Sequence, residues 1–146
     1  MISIRIRLLV VWVLVVMIVT LAPFDFLSMA EIHAQPLGLF QYGAFERDPI
    51  HFLLNLLLFM PLGVLLHREG RHRSIELQQV VILTASAGLI LSATVEFLQA
   101  FLPTRDSSLF DVIANTLGAV GGVAADRIWG VSVERWVHRV RARISL

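Results

Sequence analysis

Three sets of polar residues sit in otherwise apolar sequence, each with the three- and four-residue spacing that places side chains on one helix face. Asp48, His51 and Asn55 form the first, Ser92, Glu96 and Gln99 the second, and Asp111 and Asn115, followed by Gly118 and Gly122, the third. An ionisable group near the bilayer centre costs about 2.5–3.5 kcal/mol on insertion scales, so it normally faces a bundle interior and finds a partner. Glu96 and Asp111, two carboxyls in unequal surroundings, have the make-up of an acid and base pair and are the catalytic candidates. Arg105 is the natural partner for Glu96. With Arg47 it could also grip a phosphate or carboxylate in two places through its planar guanidinium. Asp48, His51, Glu96 and Asp111 offer nitrogen and oxygen donors, but no spacing like HExxH accompanies them, and neither a metal nor a cofactor is expected.

The plainer use of such residues is adhesion, because hydrogen bonds among Asn, Gln, Ser and Glu hold membrane helices together at about 0.6 kcal/mol each on average. That use suits Asn55, Ser92 and Asn115 taken singly, and His51 alone says little. Glu96, Arg105 and Asp111 together point to function, since a buried charge is a costly way to obtain packing.

The elements that position these groups are apolar spans. The chain is 57% hydrophobic and 16% charged, which does not suit a water-facing globule with a polar shell. Four runs, about residues 7–23, 49–67, 80–102 and 109–129, each approach the ~20 residues that cross ~30 Å of hydrocarbon at a rise of ~1.5 Å per residue. None shows the period-two alternation of a barrel strand. The first run follows Arg5 and Arg7 and precedes no A-x-A-like cleavage site, so it reads as a retained helix rather than a signal peptide. The expected fold class is therefore all-α, a single integral membrane domain over 1–146 with four transmembrane helices. There is no cysteine, so no disulfide framework or thiolate site is available.

Arginine supplies every basic Lys/Arg side chain, and its placement gives the orientation. Arg5 and Arg7 precede the first span, Arg68, Arg71 and Arg73 separate the second from the third, and Arg127, Arg135, Arg139, Arg141 and Arg143 end or follow the fourth. Only Arg47 and Arg105 fall in the alternate loops. By the positive-inside rule both termini are cytoplasmic and the polar sets lie toward the outer surface. Asn55, Glu96 and Asn115 each lie seven residues from a boundary marker (Asp48, Pro103 and Ser108), about 10 Å along a helix, which predicts one common level.

Small residues should let these helices approach: Gly88 and Ser92, then Gly118 and Gly122, have small-xxx-small spacing, and Pro61 should kink the second span below Asn55. The segment from Phe24 to Glu46, with aromatics interleaved among Gly and Pro, is expected on the outer interface. The final stretch places Trp129, Val133, Trp136, Val137, Val140 and Ile144 at helical spacing opposite arginines, which predicts an amphipathic helix over 130–146 on the anionic cytoplasmic leaflet rather than a nucleic-acid-binding tail.

Taken in order, Asp48, Asn55-x-x-x-Phe59-x-Pro61-x-Gly63, Glu96-x-x-Gln99, Arg105 and Asp111-x-x-x-Asn115-x-x-Gly118 resemble the VanZ-like family from about residue 47 to 126. The resemblance implies a small multi-pass protein of the bacterial cytoplasmic membrane, in a family named for a member associated with teicoplanin resistance. It carries a polar signature onto Asp48, Asn55, Glu96, Gln99, Arg105, Asp111 and Asn115; Arg47 joins this set from the arginine argument. Three functions follow as expectations. The first is an outward-facing pocket for an anionic lipid-linked envelope precursor or a glycopeptide. The second is an intramembrane acid/base enzyme on a lipid-linked substrate. The third is an accessory subunit whose partner is another membrane protein or a second copy of the chain.

Overall fold

The computed structural model describes residues 3–34, 49–105 and 107–144. Arg47, Asp48 and most of the expected interfacial segment lie outside the described residues, as do the side chains of the tail. Among the described residues there are five helices and no strand: α1 Ile4–Leu21, α2 Met29–Ala34, α3 Pro49–His72, α4 Leu77–Gln99 and α5 Leu109–Ile144. Four helices, with α5 counted over Leu109–Gly130, are long and apolar enough to cross a membrane. Their outward faces carry Leu14, Ile18, Leu53, Leu57, Ile82, Leu83, Ile90, Leu117 and Ile128, all exposed. Apolar side chains in that number on the outside of a helical bundle require lipid as the solvent.

The bundle has a turn end, where α4 turns into α5, and an arginine end, where α1 starts and α3 stops. Helices α3 and α5 run parallel and share the most extensive interface. Its closeness is set by glycine: a Cβ at Gly118 would strike the Leu56 carbonyl, one at Gly122 the Met60 carbonyl, and one at Gly63 the Ala119 carbonyl. Gly88 of α4 meets the same seam, where its Cβ would lie 3.0 Å from the Ala119 Cβ. The expected small-residue packing is thus present, and Gly63 extends it to α3.

Helix α1 packs on the outside of this pair. Val16 inserts among Phe59, Leu62 and Val95, and Ala119 completes the buried cluster. Pro61 lies inside α3 and takes the amide donor from the Leu57 carbonyl, which weakens the helix ladder at that point. One residue on, the Leu58 carbonyl accepts a hydrogen bond of 3.0 Å from the Trp12 indole Nε1–H. This contact anchors α1 where the ladder of α3 is weakest. Trp12→Phe keeps the ring and removes the donor, and should lower stability by about 1 kcal/mol. Thermal unfolding in detergent would measure it.

Local signals explain the ends. Ser3 caps α1 by accepting from Ile6 N–H. Helix α3 stops in a Schellman arrangement, with Ile75 N–H on the Gly70 carbonyl and Ser74 N–H on the Arg71 carbonyl, while Ser74 adopts the left-handed conformation at φ 55°. The stop falls at His72 rather than near 67, so Arg68 and Arg71 ride on the helix instead of in a loop. Ser28 and Glu31 form a capping box at the start of α2, with Glu31 Oε2 accepting from Ser28 Oγ (2.6 Å) and Ser28 N–H (2.8 Å). These bonds hold the exposed Glu31 carboxyl below its ordinary range. Part of the expected interfacial segment is therefore helical. The segment 130–146, expected as a helix of its own, continues α5 without a break as far as Ile144.

Candidate functional site

The polar face of α4 was legible as Ser92, Glu96 and Gln99, and all three are buried. Each reaches a different element. Ser92 Oγ accepts from Asn115 Nδ2 of α5 at 2.8 Å. Glu96 Oε2 accepts from the backbone N–H of Ser108 at 2.6 Å. Gln99 Nε2 donates to the Thr20 carbonyl in the last turn of α1 at 3.0 Å. One stripe thus ties α4 to α5 and to the end of α1.

The contact at Ser108 explains how the turn end is built. Helix α4 stops at Gln99 rather than at about 102, and the turn that follows dips back into the bundle. Leu102, Ser107 and Ser108 are all buried. Ser108 immediately precedes α5, so the Glu96 carboxylate lies at the amino end of that helix, where free N–H groups and the helix dipole favour negative charge. A Ser-x-x-Asp pattern, Ser108 to Asp111, would ordinarily send the aspartate back to that N–H. Here Glu96 takes the position from a neighbouring helix. The resulting register corrects the expected common level: Glu96 is level with the start of α5, and Asn115 lies deeper, opposite Ser92.

The partner expected for Glu96 is also different. Arg105 is exposed, and its Nη2 donates to the Ala22 carbonyl just after α1 at 3.1 Å. A short turn and the nearby end of α1 draw it sideways at the turn end of the bundle, where Leu27 N–H also bonds the Phe101 carbonyl at 2.9 Å. Asp111, in the first turn of α5, is half-buried; Asn55 is half-buried and His51 exposed. The structure therefore joins Glu96 to the start of α5 and Asn115 to Ser92, holds Gln99 and Arg105 against the end of α1, and leaves His51 on the outside.

Two buried polar atoms in this region have no hydrogen-bond partner among the described residues, Asn115 Oδ1 and Ser108 Oγ; a third, Thr84 Oγ1, lies deeper in α4. Among the described residues no three His, Asp or Glu side chains gather as a metal site.

A second cluster escaped the sequence reading. At the arginine end, Asp126 of α5 is buried and accepts from Arg68 Nε at 2.7 Å, and its other oxygen lies 2.8 Å from His67 Nδ1. Its signal was available: Asp126 is an acid late in an apolar span, parallel to a span that carries His67 and Arg68 near its end.

Four apolar spanning helices, locked by a glycine seam and by the buried Ser92, Glu96, Gln99 and Asn115, define a multi-pass membrane protein. The chain belongs to the VanZ/LLP1 family, which it matches over residues 7–130. No curated protein matches it, and no solved structure does.

Proposed function

We propose that this VanZ/LLP1 protein is a binding module of the bacterial cytoplasmic membrane, with both termini in the cytoplasm and the turn end facing outward. It engages the anionic head group of a lipid-linked envelope precursor, and through it influences susceptibility to teicoplanin-type glycopeptides. The carrying observation is the pair of unpartnered buried atoms, Asn115 Oδ1 and Ser108 Oγ, along the α5 face that starts beside Glu96. A buried polar group without a partner costs about 1–3 kcal/mol. Two of them on one face of α5, one at the turn end and one deeper, favour groups kept ready for a polar ligand over groups that only pack.

In this reading Arg105, with Arg47, grips phosphate at the mouth, and Asp111, Asn55 and Asn115 meet the uncharged part of the head group. Gln99 and Glu96 hold the mouth's walls in place. The orientation is supported by ten of twelve arginines falling on the opposite side. Titrating undecaprenyl phosphate into the purified protein in nanodiscs tests the reading. Arg105→Ala should weaken binding roughly tenfold, the loss of one charge-assisted phosphate contact. Affinity unchanged in Arg105→Ala would overturn it.

One observation favours a second reading. The Ser92–Asn115 and Glu96–Ser108 bonds are already made within the chain, as an accessory subunit that uses polar groups only for cohesion would require. Its partner would be another membrane protein or a second copy. The enzyme reading asks more of Glu96, since one of its oxygens is already engaged by Ser108 N–H.

A further inference from the structure

The arginine end carries a cavity of about 330 Å³ lined by Arg5, Arg68, Arg71 and His72. Among the described residues every lining side chain is of a basic type, and they come from two helices remote in sequence. Two arrangements bring them together. Ser3 Oγ lies 3.2 Å from Glu69 Oε2, and the other oxygen of Glu69 accepts from Arg73 Nε at 2.7 Å. This fixes the start of α1 against the last turns of α3 and delivers Arg5 to Arg68 and Arg71. On the inner side, buried Asp126 holds Arg68 by its Nε and is itself braced by His67. A guanidinium has five donors in a planar fork. Engagement by Asp126 at Nε leaves the donors on the opposite edge of the Arg68 guanidinium unused by that carboxylate.

The tether is itself closely fitted. A Cβ at Gly130 would come within 2.7 Å of Asp126 Oδ1, so glycine at that position leaves the aspartate room to face Arg68. Arg68 is thus a cation held in one orientation from behind. The cavity lies where α1 begins and α3 ends, both spanning helices, which is the depth of a lipid head group.

We propose that this cavity is a binding site for a phosphate-bearing anion, with Arg5, Arg68 and Arg71 as its donors. Arginine matches phosphate through paired N–H groups. The phosphodiester of an adjoining anionic phospholipid and a free phosphate present the same chemistry and are the two sources to distinguish. The site is separate from the turn end and does not depend on the function proposed there.

The test uses the full chain. Phosphatidylglycerol is titrated into detergent-solubilised protein and its adducts are followed by native mass spectrometry, with phosphatidylcholine as the neutral comparison. In a second arm, inorganic phosphate is added to protein in phosphatidylcholine nanodiscs and the unfolding temperature is read. The pocket variant is Arg5→Gln with Arg71→Gln. The control is Arg7→Gln with Arg127→Gln, which removes equal charge from exposed positions outside the cavity lining.

Phosphatidylglycerol should bind in preference to phosphatidylcholine, with affinity falling at least roughly tenfold in the pocket variant and less than about twofold in the control. Phosphate stabilising the wild type but not the pocket variant, without selective lipid binding, would assign the site to a free anion. Equal binding of both probes by wild type and pocket variant, or an equal loss in the control, would overturn the site. If the double variant fails to fold, Arg5→Gln alone, compared with Arg7→Gln, decides on the same criteria.

Discussion

Gly122→Leu is expected to destroy the folded bundle, with a loss of about 3 kcal/mol or more. The reason lies in what faces the glycine. A Cβ there would strike the Met60 carbonyl and crowd the Val64 amide, both backbone of α3, and backbone in a helix cannot rotate aside as a side-chain tip can. Relief requires α3 and α5 to move apart along their whole interface, which would also pull Gly118 from Leu56 and Gly63 from Ala119. Gly121 is the internal control, since a Cβ there meets nothing within 4 Å. Gly121→Leu should retain a wild-type elution profile and unfolding temperature in detergent, whereas Gly122→Leu should aggregate or unfold at markedly lower temperature. Equal stability of the two variants would show that α3 and α5 do not pack as described.

The second large effect separates two roles of Glu96. Glu96→Ala leaves the buried Ser108 N–H without its acceptor and opens a void between α4 and α5, and should cost about 3 kcal/mol. Glu96→Gln keeps an oxygen that can still accept from Ser108 N–H, so it should stay within about 1 kcal/mol of wild type. Unfolding temperatures of the two variants, measured side by side, give the comparison. Glu96→Gln as unstable as Glu96→Ala would mean that the charge at the start of α5 matters more than the hydrogen bond.

The spans and their polar faces were legible because both follow from periodicity. Apolar runs near twenty residues can only be helices in lipid, and Ser92, Glu96 and Gln99 share a face whatever surrounds them. The glycine seam was legible in part, since Gly118 and Gly122 repeat at four residues while their targets, the Leu56 and Met60 carbonyls, have no sequence signature. The depth of Glu96 relative to α5 was not legible. Level counting treated Pro103 and Ser108 as one boundary, but the chain between them folds inward and buries Ser107 and Ser108. Its place in the short outer loop makes Arg105 the expected partner of Glu96, whereas the end of α1, eighty-three positions away, supplies its acceptor. Trp12 on Leu58 and Asp126 on Arg68 were missed for the same reason: each joins positions that only helix packing brings together.

An anionic envelope amphiphile held at the turn end should travel with the protein through purification. The most direct test is mass spectrometry of the lipids that co-purify with wild-type protein and with Arg105→Ala in native-membrane nanodiscs. A polyprenyl-phosphate-type lipid should be enriched with the wild type and lost from the equally well-folded Arg105→Ala protein, while phosphatidylglycerol retained at the arginine end is unchanged. Identical lipid profiles in the two folded proteins would contradict it and leave the buried polar stripe as a device for holding helices together.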